Sequence, residues 1–325
     1  MLMKPEDVAR RINAGATLFL AGDEALLAAL PRGNWIGGSS PYFMDSNGGK
    51  HSRDLIFVQE QSTAVSATQI RWYAADALAG IAADSPGNGY SLVIIPATSP
   101  AHVRYAEDAP GYSGLFMKNI VGWIAGVDLN DLGKVLPRVF DGTTGESSSQ
   151  AAVVLHATLP DNKLASVGIV NCMEQGDGDR LQFDHDGFVV EQCLVNGEPR
   201  NFAEYLVQTQ ADTRLPLVAD YNGEMINVSF QSVEADHGKV TLYAPVFRGV
   251  EYRMARPIDN YVARFMSQIP TQLTQPEFCC NCILNYLYSE LEGKKTGTLT
   301  GPVTFGEIAY QLVNQTLVYL TISDI

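Results

Sequence analysis

Short apolar runs alternate with segments of helical periodicity over the first 120 residues. The runs ATLFLAG and YSLVIIPATS predict strands, and the second is apolar enough to be buried on both faces of a sheet. Apolar residues at helical spacing predict helices over residues 4–13, over DEALLAAL with Asp23 as N-cap, and over TQIRWYAADALAGIAAD. This alternation is typical of an α+β or α/β domain.

Strand and hairpin signals dominate beyond residue 150. The runs AAVVLHATLP and LASVGIVNCMEQ predict strands, and the Asp-Gly and Asn-Gly pairs after residue 180 predict hairpin turns. Helices are expected over IDNYVARFMSQI and CCNCILNYLYSEL, and the chain should end on a strand within a sheet. No short repeat and no low-complexity segment is evident.

The fold class expected from this pattern is α+β, with mixed or antiparallel sheets flanked by helices. A chain of 325 residues is too long for one simple core, so we expect two domains. Small polar residues accumulate in DGTTGESSS, which indicates a boundary in this region. We therefore expect an N-terminal domain over residues 1–140 and a C-terminal domain over residues 141–325.

Composition and charge narrow the partners and the compartment. The formal net charge is -14 and no run of Lys and Arg occurs, which argues against nucleic acid and anionic membranes as partners. No uninterrupted apolar stretch approaches the 18 residues of a membrane span. The five cysteines are odd in number and three are clustered, so we expect a reducing, cytoplasmic location.

The cysteine cluster FCCNC offers Cys279, Cys280 and Cys282 for chemistry. Zinc is disfavoured because no second ligand pair follows at zinc-site spacing. Two interpretations stay open: small hydrophobic residues packed at a helix start, or a thiol activated by a helix N-terminus and lining a site. His156 lies in an apolar run and is either a core histidine or a haem or metal ligand.

The segment WIGGSSPYF predicts a strand that enters a glycine-rich turn. Gly37 and Gly38 allow a close backbone approach, and Ser39 adds a hydroxyl, so the turn could hold a carboxylate or a phosphate. The segment lacks the Gly-Lys-Ser/Thr ending of a P-loop and the G-x-G-x-x-G of a dinucleotide site. An ordinary tight turn is the alternative.

The C-terminal half resembles the FIST family of sensory domains over roughly residues 180–325. The resemblance rests on FDHDGFVVEQCLVNGEPRNFAEYL, LPLVADY, APVFRGVEYRMAR and the closing GPVTFGEIAYQLVNQTLVYLTI. It implies a small-molecule sensor whose ligands are amino acids or similar metabolites, and some family members bind haem. The resemblance suggests Cys279, Glu307, Asn314 and Thr316 as site residues.

These observations lead to a predicted pocket and function. We expect Gly37, Gly38 and Ser39 from one half to meet Cys279 and Glu307 from the other around a zwitterion, with Cys280, Asn314 and Thr316 as further ligand-binding candidates. The predicted function is cytosolic sensing of an amino-acid-like metabolite, without an output domain and with a signalling protein as a possible partner. The alternatives are a cysteine-dependent enzyme and a haem or metal sensor. No cofactor is predicted, although the resemblance leaves haem open.

Overall fold

A computed structural model describes residues 1–221, 224–270, 273 and 276–325 of the chain. The protein is α+β, as the sequence predicts, with several mixed or antiparallel sheets. No helix in the described ranges is both long and apolar enough to cross a membrane.

Two compact units divide the chain, and neither is continuous in sequence. The first comprises Met1–Val170, Ile269–Leu312 and Leu317–Ile325, and the second comprises Asn171–Gln268 and Val313–Thr316. This division differs from the one expected near residue 140, because that position lies inside a strand of the first unit.

The elements follow in chain order. Residues 1–170 form β1 Leu2–Met3, α1 Pro5–Asn13, β2 Leu18–Gly22, α2 Glu24–Ala28, β3 Trp35–Ser39, β4 Tyr42–Asp45, β5 Gly48–His51, β6 Ile56–Glu60, β7 Ala67–Tyr73, α3 Gly80–Asp84, β8 Gly89–Pro96, α4 Pro100–Asp108, β9 Ile120–Ala125, β10 Val139–Asp141, β11 Glu146–Ser148, β12 Ala152–Thr158 and β13 Lys163–Val170. Residues 171–268 form β14 Leu181–Gln182, β15 Gly187–Val190, β16 Gln192–Val195, β17 Glu198–Asn201, α5 Phe202–Gln208, β18 Leu217–Tyr221, β19 Glu224–Val228, β20 Phe230–Glu234, β21 Lys239–Val246, β22 Glu251–Met254 and α6 Tyr261–Gln268. The remainder forms β23 Phe278–Cys282, α7 Ile283–Tyr288, β24 Gly301–Thr304, β25 Glu307–Ala309, β26 Gln311–Val313 and β27 Leu317–Asp324.

Three six-stranded sheets build the first unit. Their strand orders are β1-β6-β2-β3-β10-β11, β26-β25-β9-β8-β12-β7 and β13-β27-β23-β24-β4-β5. The second of these packs against both of the others, and every residue of its inner strands β8 and β9 is buried. The prediction of a strand buried on both faces at YSLVIIPATS is thereby confirmed. Parallel pairing occurs between β2 and β3, between β8 and β9 and between β23 and β24.

The second unit has its own core between an antiparallel sheet and a smaller one. The sheets have the orders β17-β16-β14-β22-β18-β19 and β15-β21-β20. Phe183 contacts Phe202 and Tyr252 edge to face, and Phe202 also packs against Phe230. These aromatic contacts supply most of the large buried side chains of this unit, which is therefore a folded body with a hydrophobic centre.

The helix predicted over TQIRWYAADALAGIAAD is wrong in its first half. Residues 67–73 form strand β7, whose side chains alternate between exposed and partly buried along an antiparallel pairing with β12. Thr68, Ile70 and Trp72 have β-branched or aromatic side chains that suit a half-buried strand. A short helix, α3, begins only at Gly80.

The cysteine cluster lies on a strand and not on the predicted helix. Strand β23 pairs antiparallel with β27 and parallel with β24, and helix α7 begins only at Ile283. The approach to β24 is close because Gly301 has no Cβ: one placed there would lie 2.0 Å from the carbonyl oxygen of Cys279. All three thiols are buried, as the packing interpretation expects, since Cys279, Cys280 and Cys282 are each at most 4% exposed.

Candidate functional site

A cleft of about 290 Å³ opens in the first unit, at the carboxyl ends of β2, β3 and β9. The ends of parallel strands in open sheets are a recurrent position for ligand sites, because the loops that follow them converge. The residues that line the cleft are Asp23, Glu24, Ala25, Ala28, Ser39, Ser40, Pro41, Arg53, Gly126, Val127, Asp128, Asp131 and Val135.

Asp23 links the end of β2 to the start of α2. Its Oδ1 accepts a hydrogen bond from the backbone N–H of Ala25 at 3.1 Å, so the predicted N-cap is confirmed. The other oxygen, Oδ2, accepts from Arg53 Nε at 2.8 Å. The carboxylate is thus fixed from two sides and stands at one wall of the cleft.

Ser39 is the last residue of β3 and Ser40 follows it, and both line the cleft. The Ser39 hydroxyl donates to the carbonyl of Gly126 at 2.7 Å and accepts from the backbone N–H of Arg138 at 2.9 Å. The Ser40 hydroxyl donates to the carbonyl of Val303. Both hydroxyls are therefore committed to backbone groups, which makes them poor nucleophiles but good anchors for the converging loops.

Asp128 stands at the end of β9 in a dense set of hydrogen bonds. Its Oδ1 accepts from the backbone and the side-chain amide of Asn130, both at 3.0 Å, and its Oδ2 lies 2.8 Å from His51 Nε2. Burial works against ionisation, but the bonds from Asn130 and His51 outweigh it and lower the pKa of Asp128. Tyr42 stacks on the His51 ring with centroids 4.7 Å apart. The carboxylate is therefore charged and held in one orientation.

Arg53 joins the two acidic walls of the cleft. Its Nε donates to Asp23 Oδ2 at 2.8 Å, and its Nη1 donates to Asp131 Oδ2 at 2.9 Å. The side chain is 51% exposed, so the guanidinium borders solvent while two carboxylates fix it. Ser52 N–H bonds the carbonyl of Pro41, which anchors the loop that carries Arg53.

The charge of the cleft is negative. Four carboxylates and one guanidinium line it, for a formal net charge of -3. Arg138, just outside the lining, pairs with Glu24 Oε1 at 2.9 Å. Apolar side chains complete the surface, namely Ala25, Ala28, Pro41, Val127 and Val135. The arrangement favours a small ligand with a cationic group and a short apolar part.

Of the residues proposed from the sequence, only Ser39 lines this cleft. Gly37 and Gly38 belong to the buried strand β3 and not to the turn that was expected. A Cβ at Gly38 would lie 2.7 Å from Ile94 Cγ2 and 2.8 Å from Trp123 Nε1, so this glycine faces the core between two sheets. The glycines allow close sheet packing, and the residues that line the cleft begin with Ser39.

Cys279, Cys280 and Glu307 lie deep inside the first unit. Cys279 lines a separate cavity of only about 10 Å³ together with Trp123. Glu307 is fully buried, and its Oε1 accepts from the Thr304 hydroxyl at 3.3 Å. Burial raises the pKa of Cys279, and burial together with the nearby Glu307 carboxylate raises the pKa of Cys280. Neither cavity described here holds both Gly38 and Glu307.

Asn314 and Thr316 belong to the second unit and are each 1% exposed. The backbone carbonyl of Asn314 accepts from Asn227 Nδ2 at 3.0 Å, and Asn227 also exchanges hydrogen bonds with Asn171. Neighbouring Gln315 accepts from the Ser229 hydroxyl at 2.7 Å. Within this unit the segment is therefore part of a buried amide network.

His156, a possible haem or metal ligand from the sequence, is buried in the first unit. His156 Nε2 lies 2.8 Å from the Tyr73 hydroxyl, and its Nδ1 lies 2.8 Å from that of Ser91, so both ring nitrogens are engaged. Burial lowers the pKa of His156 to about 4. Across the described part of the chain, no group of three or more His, Cys, Asp and Glu side chains is placed to hold a metal ion.

A sequence signal for the cleft was present but missed. Residues 21–40 and 125–144 both begin with Ala-Gly, contain Leu-Pro-Arg and carry another glycine sixteen residues after the first. That glycine precedes Ser-Ser in one segment and Thr-Thr in the other, and an acid follows the first Ala-Gly within two residues. This shared pattern, although Leu-Pro-Arg stands two residues later in the second segment, draws attention to Asp23, Ser39 and Asp128.

The comparisons with known proteins give a family and no activity. The model of a family of unknown function, DUF6976, matches residues 3–323. No curated protein and no solved structure has a significant match.

Proposed function

The chain belongs to this family of unknown function, DUF6976, and we propose that it binds a small ammonium-bearing metabolite in the cleft at the ends of β2, β3 and β9. The observation that carries the proposal is the cleft's lining of four carboxylates against one guanidinium around a volume of about 290 Å³. An amino-acid-like ligand is the class that the resemblance to sensory domains implies, and a signalling role would follow from it.

Carboxylate oxygens without a hydrogen-bond donor support the proposal that the ligand carries an ammonium group. Asp131 uses only Oδ2 for Arg53, and Glu24 uses only Oε1 for Arg138. Each carboxylate therefore keeps an oxygen without a hydrogen-bond donor from the described residues. A ligand ammonium has three donors and no acceptor, which suits two such oxygens, and charge-assisted hydrogen bonds of this kind are the strong ones.

Binding, and not covalent catalysis, is the chemistry that these side chains favour. The serine hydroxyls of the cleft bond to backbone groups, as described above. The buried thiols have raised pKa values, whereas a nucleophilic cysteine needs a lowered one. The cleft therefore already offers the groups that binding of such a ligand requires.

Isothermal titration calorimetry at low salt tests the proposal. The probes are the twenty amino acids and the amines formed from them by decarboxylation. We expect at least one ammonium compound to bind. Asp131→Asn should weaken its binding by about tenfold or more, since a hydrogen bond to a charged group contributes about 1.5–3 kcal/mol. Asp108→Asn is the matched control, because Asp108 also pairs with an arginine, Arg104, on the surface of α4.

The control should bind like the wild type. The proposed function is contradicted if none of the probes binds to the wild-type protein. It is also contradicted if Asp131→Asn and Asp108→Asn both bind the ligand as tightly as the wild-type protein does.

A further inference from the structure

Arg53 has a free hydrogen-bonding edge in the cleft. Two of its nitrogens, Nε and Nη1, donate to Asp23 and Asp131 at 2.8 and 2.9 Å. Its third nitrogen, Nη2, bonds to none of the residues that the structure describes. The guanidinium is planar and carries five donors in a fixed fork, so two fixed nitrogens also fix the direction of the third.

The two ion pairs orient Arg53 without removing its side chain from solvent. Asp23 comes from the end of β2, whereas Asp131 follows β9, so Arg53 is held from two different loops. Half of the side chain remains exposed, and it lines the same cleft as Glu24 and Asp131. A fixed arginine with an exposed edge is the side chain that recognises carboxylates by matched hydrogen bonds.

We infer that Arg53 is the specificity-determining residue of the cleft and binds the carboxylate of a ligand whose ammonium group is held by Glu24 and Asp131. This inference rests on the proposed function and adds the second charged group of the ligand. It selects an α-amino acid over the corresponding amine, because only the amino acid can use the free edge of Arg53. Arg53 is also the one cationic residue that lines the cleft in the described part of the chain.

An alternative role for Arg53 gives opposite results in the same experiment. If the guanidinium merely occupies the place of a cationic ligand between Asp23 and Asp131, removing it frees both carboxylates. Amines and amino acids would then both bind more tightly to a variant without Arg53. The two roles are therefore distinguished by comparing each amino acid with its own decarboxylated amine.

The experiment titrates wild type, Arg53→Gln and Arg53→Lys with the pairs arginine and agmatine, lysine and cadaverine, and ornithine and putrescine. For the pair that binds, we expect Arg53→Gln to weaken binding of the amino acid by about tenfold or more. Binding of the amine should be unchanged or tighter. Arg53→Lys keeps the positive charge but loses the fork, so we expect it to retain only part of the preference for the amino acid.

Equal effects on both members of a pair, in either direction, would overturn the inference while leaving the proposed function intact. A wild-type protein that prefers the amine would also overturn it. If the wild type binds none of these six compounds and none of the wider set of amino acids and amines, the proposed function fails, and the inference fails with it. Thermal unfolding of each variant verifies that the protein tested is folded.

Discussion

His102 and His156 lie in the core of the first unit, where an imidazole cannot easily accept a second proton. Burial lowers the pKa of each to about 4. His102 Nδ1 accepts a hydrogen bond from the backbone N–H of Thr98 at 3.1 Å, and protonation of that nitrogen would destroy the bond. Both side chains are therefore neutral at physiological pH and serve the fold.

We predict that the free energy of unfolding falls as the pH drops from about 7.5 to 4.5. The unfolded chain binds a proton on each histidine below the ordinary pKa of 6.5, whereas the folded protein does so only near pH 4. The stability contribution is thus complete above pH 6.5 and is lost toward pH 4, by roughly 2–3 kcal/mol for His102. Urea denaturation at both pH values measures it.

His102→Gln should flatten this dependence, whereas His237→Gln should leave it unchanged, because the His237 side chain is 76% exposed. Identical pH dependence in the His102 variant and the wild type would contradict the account.

The thiols give a second prediction at this scale. All five cysteines are free and buried, and burial raises the pKa of Cys172 and of Cys193 to about 12. We therefore expect a bulky alkylating reagent at pH 7.5 to modify no cysteine of the native protein and five cysteines in denaturant. Intact-mass spectrometry counts the adducts. Rapid modification of Cys279 or Cys280 in folded protein would contradict this prediction and support the alternative of a cysteine-dependent enzyme.

Among the elements, the β3 strand shows how a glycine can serve sheet packing instead of ligand binding. We predict that Gly38→Ala destabilises the protein by about 1–3 kcal/mol, because the new methyl group would overlap with Ile94 and Trp123 in the core. Gly87→Ala is the control, since a Cβ there meets nothing within 4 Å. Chemical denaturation of both variants decides the matter. A Gly38→Ala protein as stable as the control would place this glycine outside the core.

The elements that the sequence predicted correctly are determined by residues close to them in the sequence. Helix α2 begins where Asp23 can cap it, and the largely apolar β8 is buried throughout its length. The FCCNC segment was misread because its strand conformation is imposed by β24 and β27, which follow about 20 to 40 residues later. Arg53 and Asp131 escaped notice for a similar reason. They are 78 residues apart, and only the folded sheets bring them together.

For the whole molecule, the first unit is assembled from distant parts of the chain. Strands β23, β24 and β27 supply three of the six strands in the sheet that β4, β5 and β13 complete. We predict that a fragment of residues 1–170 does not fold alone, because this sheet would lose its centre and leave buried edges unpaired. Circular dichroism and thermal melting of the fragment test this. A cooperative transition in the fragment would contradict the assignment of Ile269–Leu312 to this unit.

The location of binding is the central claim, and an amide NMR titration of the wild-type protein tests it most directly. The probe is the amino acid or amine that binds best in calorimetry. We predict that the largest shift changes fall on residues 22–25, 39–40, 53 and 126–131, which surround the cleft. Shift changes that leave these residues unaffected and concentrate around Cys279 and Glu307, or around Asn314 and Thr316, would contradict the account and return the site to where the sequence first suggested it.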